Sequence, residues 1–328
     1  MGANVMQLVR ILALSTLFIL SVGAAALPAW AQEVELAPPF ESDQEAAEYF
    51  RQSCSDGIAT DYLEVGYLFY HGMENGPDYG IAATYFGRAC DAGNVEGCNN
   101  FGVLFEYGHG VGQNYEVAAA LYEQACSHNF GLGCTNLGQL YSNGFGFEQD
   151  DARAFDLIRQ GCLAGDRPGC NTVGNMFQDG IGVAKSFREA TRFYRRACGT
   201  IDGIGCYNLG YMYQYGLGTR LNYRDAKRFY ERSCEFGYGD GCNNFGYLHE
   251  NGLGVDQDFE LASTLYRNAC ELDSGLGCAN TAFMLEMGRG IAMDLVAANN
   301  FYEKACALGW EESCGVTAQS RDPLDTAP

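Results

Sequence analysis

The sequence has few basic residues and few histidines. Its 328 residues include 20 lysines and arginines against 41 aspartates and glutamates, and four histidines. A chain with a net charge of −21 is repelled by nucleic acid and by anionic membrane surfaces, so no nucleic-acid partner is expected. The acidic residues are interspersed rather than grouped in blocks, which favours a role in solubility. A preference for a cationic partner is the alternative.

Long apolar runs are absent after residue 31, so no membrane insertion of the mature chain is expected. The one such run, residues 11–22, follows Arg10 and precedes the small-residue sequence Ala29-Trp30-Ala31. This arrangement is typical of a signal peptide, predicted here for residues 1–31. No cysteine follows the run, so a lipid anchor is not expected. The mature protein is therefore predicted to be periplasmic or secreted.

Cysteine, by contrast, is abundant and regularly spaced. A fixed period of 36 residues predicts one small supersecondary unit that is stacked repeatedly. Regularly paired thiols favour local disulfides in an oxidising compartment. Metal ligation is the alternative, but the Cys-x2-Cys spacing of zinc sites is absent, so no metal site is expected. Fourteen of the 15 cysteines form seven Cys-x7-Cys pairs: Cys90/Cys98, Cys126/Cys134, Cys162/Cys170, Cys198/Cys206, Cys234/Cys242, Cys270/Cys278 and Cys306/Cys314.

Cys54 is the cysteine without a partner in this pattern. The period places its partner at position 62, where the chain has Tyr62. A leftover cysteine in a secreted protein predicts either a free thiol or an intermolecular bridge, which would make a dimer. An inert cysteine in a decayed end repeat is the alternative.

The segment that starts at each second cysteine has the spacing of an amphipathic helix. Apolar residues recur three, six and seven positions later, as Leu209, Met212 and Tyr213 do after Cys206. Position four is a glycine in six units and Ala282 in the last, which favours close approach of helices. A further glycine occupies one position in all seven units, as a left-handed helix C-cap requires: Gly72, Gly108, Gly144, Gly180, Gly216, Gly252 and Gly288.

A second helix completes each unit, and each Cys-x7-Cys pair is predicted to span the loop from it to the next first helix. A small residue there lets helices touch, and every unit has one: Ala82, Ala118, Ala154, Ala190, Ala226, Ala262 and Ala298. Residues 43–54 match this second helix alone. The sequence therefore predicts an all-α protein, an α/α superhelical solenoid of about seven disulfide-stapled helix-turn-helix repeats at residues 43–314. Residues 32–42 and 315–328 lack the pattern and are predicted to be a disordered linker and a disordered tail.

These elements together resemble the Sel-one-like repeat. Its leading Cys-x-Asn-Leu-Gly is clear at residues 134–138 and 206–210, and a Gly-x-Gly turn, an alanine-centred second helix and Ala-Cys follow. The unit closed by Cys-x7-Cys is similar to that of the Helicobacter cysteine-rich proteins. The resemblance covers residues 43–314 and implies a tetratricopeptide-like superhelix. It also implies a function, because relatives are described as secreted interaction proteins or as penicillin-binding proteins with slow β-lactamase activity.

The residues do not supply the β-lactamase chemistry that the resemblance implies. Ser-x-x-Lys and Lys-Thr-Gly are both absent. The histidines share no repeat position, so no clustered metal or acid–base site is expected: His71, His109, His128 and His249. We therefore expect no catalytic residue and no cofactor. β-Lactam hydrolysis is the alternative function, and assembly of envelope or respiratory complexes is a second alternative, although no Cys-x-x-Cys-His haem site supports it.

One face of the first helices is predicted to line a concave groove that binds a protein or peptide. Exposed aromatic rings beside carboxylates are typical of binding sites, and asparagine amides can pair with the backbone of an extended ligand. The alternatives are that the rings pack on the adjacent repeat and that the asparagines brace their own helix start. The predicted groove residues lie at positions two, five and eight: Asn100, Asn136, Asn208, Asn244 and Asn280; Tyr67, Tyr211, Tyr247 and Phe283; Glu250 and Glu286.

Overall fold

The computed structural model describes residues 59–72, 76–199 and 203–319. The predicted signal peptide, linker, half repeat and Cys54 lie outside these described residues. Within them the chain forms α-helices in consecutive pairs, so the all-α helix-turn-helix prediction is confirmed. The helices are α1 Ala59–His71, α2 Tyr79–Asp91, α3 Val95–Tyr107, α4 Tyr115–Ser127, α5 Gly131–Asn143, α6 Asp151–Leu163, α7 Arg167–Asp179, α8 Phe187–Ala197, α9 Ile204–Tyr215, α10 Tyr223–Glu235, α11 Gly239–Asn251, α12 Phe259–Glu271, α13 Gly275–Met287 and α14 Leu295–Ala307.

The described part of the chain divides into two compact units, with the boundary between Ala125 and Cys126. In each unit, odd-numbered helices are the first helices of a repeat and even-numbered helices are the second. None of the described helices combines the length and the apolar composition that a membrane span requires.

The second helices begin where the sequence supplies an N-cap. In each of the seven, a side-chain oxygen accepts a hydrogen bond from the backbone N–H three residues on, which satisfies one of the free donors of the first turn. The caps are Asp78, Asn114, Asp150, Ser186, Asn222, Asp258 and Asp294.

The first helices end at the predicted glycines. All seven glycines have a left-handed backbone conformation, with φ between +62° and +88°, which residues other than glycine rarely adopt. The predicted close approach of helices is also present. A methyl group on Gly210 would lie 2.7 Å from the ring of Tyr230 in the second helix of the same repeat. The repeated alanines of the second helices are fully buried, as predicted.

Most turns contain a second glycine, which packs against the preceding repeat. Gly218, in the turn after α9, has φ +65°, and a methyl group there would overlap the carbonyl of Phe187, the first residue of α8. Gly182 and Gly290 meet the starts of α6 and α12 in the same way. These turns therefore pack backbone against backbone between neighbouring repeats, where a side chain cannot fit.

All seven predicted disulfides are present, each between cysteines eight residues apart. The Cα atoms of each pair lie 4.3–4.9 Å apart. The final bridge holds the 3-10 turn Glu311–Ser313 after α14. The bridges are Cys90–Cys98, Cys126–Cys134, Cys162–Cys170, Cys198–Cys206, Cys234–Cys242, Cys270–Cys278 and Cys306–Cys314.

The second cysteines differ from the prediction in one respect, because the first helices begin before them rather than at them. The second cysteines of six bridges lie inside the first turn of a first helix and are only 0–2% exposed: Cys98, Cys134, Cys170, Cys206, Cys242 and Cys278. Each of these pairs therefore spans the loop from a second helix to the next first helix, as predicted, with its second cysteine inside the first helix.

The reason for the earlier helix start is a backbone hydrogen bond that five of these six cysteines make. The N–H of Cys134 donates to the carbonyl of Phe130, and that of Cys170 donates to the carbonyl of Asp166. Cys242 and Cys278 donate to the carbonyls four residues before them in the same way. These are helical i to i−4 bonds, so the helix includes the cysteine and the bridge sulfurs are enclosed between helices.

The predicted disordered tail begins with residues that pack on the last repeat. Ala318 is buried, and its backbone N–H donates to Asn299 Oδ1 at 2.6 Å. The N–H of Gln319 donates to Glu286 Oε1 at 3.4 Å. Ala318 and Gln319 therefore depart from the prediction, because α13 and α14 offer acceptors for their backbone, and residues 320–328 lie outside the described chain.

Candidate functional site

Position eight of the first helix is a structural acceptor rather than a free carboxylate. Tyr266 Oη donates to Glu250 Oε2 at 2.6 Å, and Tyr302 Oη donates to Glu286 Oε2 at 2.9 Å. Glu286 is 4% exposed, so its predicted exposure in the groove is wrong. The physical reason is the tyrosine 16 residues later, whose buried hydroxyl needs an acceptor. Burial, followed by the bond to Glu250, raises the pKa of Tyr266.

The same bond recurs wherever a second helix carries this tyrosine. Sixteen residues separate donor and acceptor in each case, and the acceptors are Glu106, Gln178 and Gln214 in the other three repeats. Two repeats have Phe86 or Ile158 in place of the tyrosine, and their position eight carries Tyr70 or Ser142, neither Glu nor Gln. The constant 16-residue spacing was the signal in the sequence that could have revealed this pairing.

Replacing Tyr122 by phenylalanine should therefore destabilise the protein. The variant leaves Glu106 Oε2 without its 2.6 Å donor, and hydrogen bonds to charged groups contribute about 1.5–3 kcal/mol. We expect a matching decrease in the unfolding free energy measured by urea denaturation. Tyr247→Phe, at an exposed tyrosine of another repeat, is the control and should have no effect. Adding Glu106→Ser, which recreates the pattern at Ser142, should recover part of the loss; equal stability of Tyr122→Phe and the unsubstituted protein would contradict this role.

The predicted asparagines form bonds between neighbouring repeats. Asn208 Nδ2 donates to Asn171 Oδ1 at 2.8 Å, and Asn280 Nδ2 donates to Asn243 Oδ1 at 2.7 Å. Asn243 Nδ2 in turn donates to Asn244 Oδ1 at 3.1 Å. The first two contacts span 37 residues, so they brace adjacent repeats rather than each asparagine's own helix start. Each amide can form further hydrogen bonds, so pairing with a ligand stays a prediction. Asn136, on α5, is half-buried.

In the N-terminal unit the predicted tyrosine and asparagine bind each other. Tyr67 Oη donates to Glu96 Oε1 at 2.6 Å and accepts from Asn100 Nδ2 at 2.8 Å. Burial and the bond to Glu96 raise the pKa of the Tyr67 hydroxyl. The Tyr67 ring meets the edge of Phe86 at a centroid distance of 5.4 Å, so it packs within the repeat array.

Three tyrosines on successive first helices are exposed together. Tyr211 and Tyr215 on α9 are 37% and 54% exposed, and Tyr247 on α11 is 41% exposed. The Tyr211 and Tyr215 ring centroids are 4.5 Å apart. Partial burial raises the pKa of the Tyr215 hydroxyl, and the nearby hydroxyls of Tyr211 and Tyr247 raise it further. We call these residues the tyrosine cluster; Tyr215, at position nine, was missed because it lies at the edge of the predicted face.

The remaining groove residues lie beside a basic side chain. Phe283 is half-buried, and the guanidinium carbon of Arg289 lies 5.6 Å from its ring centroid. An Arg289 nitrogen also lies 3.8 Å from Glu250 Oε1. Glu250 is thus paired with both Tyr266 and Arg289. These partners weaken its attraction for a cationic ligand, relative to the free carboxylate that the sequence suggested. Within the described residues, no group of three or more potential metal ligands comes together.

A family model described as Sel1 repeat matches most of the chain, at residues 38–58, 62–94, 95–130, 131–166, 168–198, 203–238, 239–274 and 275–310. The first match covers the predicted half repeat, and the others follow the helix pairs. Comparison with curated proteins gave no match.

Several solved structures are similar. The protective antigen c5321 of uropathogenic Escherichia coli, which displays an SLR fold, is 27% identical with a TM-score of 0.70 over 81% of this chain, which spans 57% of the antigen. A Sel1 repeat protein from Oxalobacter formigenes has the same fold, with 20% identity, a TM-score of 0.67, and coverage of 82% of this chain and 79% of that one. The Helicobacter pylori cysteine rich protein B is 30% identical over 40% of this chain and 94% of its own length, with a TM-score of 0.35. The predicted resemblance is confirmed, and the chain belongs to the Sel1 repeat family.

Proposed function

We propose that this protein is a binding scaffold that holds an extended segment of another protein on the tyrosine cluster. The observation that carries the proposal is the joint exposure of Tyr211, Tyr215 and Tyr247 on two successive first helices. In the N-terminal unit the corresponding tyrosine at position five, Tyr67, is instead hydrogen-bonded within the array. Tyrosine rings are frequent interface anchors because they bury a large apolar area and keep a polar hydroxyl.

An extended peptide suits this surface because the asparagines follow the same helices. Asn208 and Asn244 lie one repeat apart, each on the same helix as one of the exposed tyrosines at position five. The bond to Asn171 uses the amide nitrogen of Asn208, so its amide oxygen can accept a hydrogen bond from a peptide backbone. The net charge of −21 favours a segment that carries basic residues.

The proposed compartment is the periplasm or the extracellular space. Seven disulfides are stable in an oxidising environment, and the predicted signal peptide at residues 1–31 would direct export. No observation on the described residues favours the β-lactamase or assembly-factor alternatives.

A peptide-display selection on the oxidised protein tests the function. Enriched peptides should bind with affinities that fall about tenfold or more in Tyr215→Ala and in Tyr247→Ala, since aromatic hot spots contribute about 2 kcal/mol or more. Tyr107→Ala is a matched control, because Tyr107 occupies the position of Tyr215 in another repeat and is 61% exposed. Its affinity should be unchanged. Peptides that bind all three variants equally, or a selection without enrichment, would refute the tyrosine cluster as the site.

A further inference from the structure

Charge is segregated along the chain in a way that the overall net charge hides. Residues 153–232 contain 13 of the 20 basic side chains and seven of the 41 acidic ones, a formal charge of +6. The rest of the chain carries −27. Acidic and basic residues are interspersed in this segment too, but their ratio changes along the chain because the arginines concentrate on α8 and α10.

Three of these arginines surround a cleft between α6, α7 and α8, whereas the tyrosine cluster lies on α9 and α11. Arg159 extends from α6, and Arg192 and Arg196 extend from α8. The cleft encloses about 260 Å³, and it is lined by aromatic rings, by the arginines and by Glu189, the partner of Arg192. Its floor is a continuous aromatic row, in which the Phe177 centroid lies 5.1 Å from that of Phe155 and 5.5 Å from that of Phe193.

The arginines of the cleft are weakly paired within the protein. Arg159 and Arg192 contact Asp156 and Glu189 in exposed pairs on their own helices, at 3.3 Å and 3.5 Å. Exposed pairs of this kind contribute about 0–1 kcal/mol, so a ligand can displace them. Of the described acidic side chains, none lies within ion-pair distance of Arg196.

We infer that this arginine cleft binds an acidic peptide segment that carries a bulky apolar side chain. Guanidinium groups hold carboxylates through two parallel hydrogen bonds, and the aromatic floor accepts an apolar side chain. A volume of about 260 Å³ lies below that of most small-molecule pockets, so it suits one or two side chains of a peptide. The site is separate from the tyrosine cluster, so either proposal can fail without the other.

The charge distribution favours a short acidic segment over larger anionic partners. A bilayer or a second copy of this chain presents an extended negative surface, which the −27 of the remaining chain repels. A segment with a few carboxylates gains the local attraction of the three arginines. The cleft is also concave, so a protruding side chain fits its aromatic floor better than a flat partner surface would.

The test is fluorescence anisotropy with a labelled peptide in which one phenylalanine lies between runs of glutamate. We expect saturable, salt-sensitive binding to the oxidised full chain. The triple variant Arg159→Gln, Arg192→Gln and Arg196→Gln should weaken binding at least tenfold, and replacing the peptide's phenylalanine by serine should also weaken it. Melting curves would establish that the variants remain folded.

A matched triple variant removes the same charge elsewhere. Arg220→Gln, Arg224→Gln and Arg267→Gln alter three exposed arginines outside the cleft and should leave the affinity nearly unchanged. Equal losses in both triple variants would overturn the cleft in favour of a net-charge effect. Binding to anionic phosphatidylglycerol vesicles but not to the peptide, or arginine-dependent dimerisation without peptide binding, would overturn the inference in favour of a membrane or a second copy.

Discussion

Reduction of the seven disulfides should unfold most of the protein at physiological temperature. Each bridge closes a loop of about nine residues, which is worth about 2.5 kcal/mol in the chain-entropy model. Because a domain is stable by about 5–15 kcal/mol, the loss of several bridges exceeds what the helix packing retains. Far-UV circular dichroism during heating, with and without reductant, measures the effect. A reduced protein that melts within a few degrees of the oxidised one would contradict it.

The position of a disulfide in the array should determine how many repeats are destabilised when that disulfide is removed. Cys198→Ser with Cys206→Ser removes a bridge between central repeats, whereas Cys306→Ser with Cys314→Ser removes the last one. Since repeats are coupled to their neighbours, the central variant should melt in a broadened transition, and the terminal variant should lose mainly its end. Mass mapping of the oxidised protein provides the control, because pairing between distant cysteines would rule out the local bridges.

Gly218→Ala should be one of the most damaging substitutions in the turns. The added methyl would overlap the backbone of Phe187 in the preceding repeat, and the residue must also keep φ at +65°. We expect the unfolding free energy to fall by about 3 kcal/mol or more, together with weaker coupling between repeats. The expected result is a lower melting temperature and an earlier urea midpoint.

Gly237→Ala separates the cost of a left-handed backbone from the cost of a steric overlap. Gly237 has φ +79°, but a methyl group there would meet no atom within 4 Å. This variant should therefore cost only the left-handed conformation, about 1 kcal/mol. If both alanine variants lost the same stability, the contact between Gly218 and Phe187 would contribute nothing measurable.

The repeat architecture could be predicted because its determinants are backbone requirements. A glycine at φ near +65° and an alanine between touching helices leave little choice of residue, so they recur at a fixed period. The pairing of Cys90 with Cys98 could be predicted because the same cysteine spacing recurs at that period. The start of each first helix was placed too late, because residues before the second cysteine carry no periodic apolar pattern and yet close the first turn, as before Cys134 and Cys242.

The candidate site was less predictable because exposure depends on partners in other helices. Glu286 has the phase of a surface residue, yet Tyr302 draws its carboxylate into a buried hydrogen bond. Tyr215 lies at the edge of the predicted face, and its exposure depends on how α9 and α11 pack. Helical phase identifies a face of a helix but does not identify what covers it.

The short span of each disulfide also protects the chain against pairing out of frame. If Cys54 reacted first with Cys90, every later cysteine would be offered the wrong neighbour, beginning with Cys98 and Cys126. Such a shifted set would close loops of about 29 residues instead of about nine, at an added entropic cost of about 1 kcal/mol per bridge. Because that cost recurs with every repeat, lengthening the array strengthens the preference for the correct frame. The odd cysteine therefore becomes less able to misdirect oxidation as more repeats follow it.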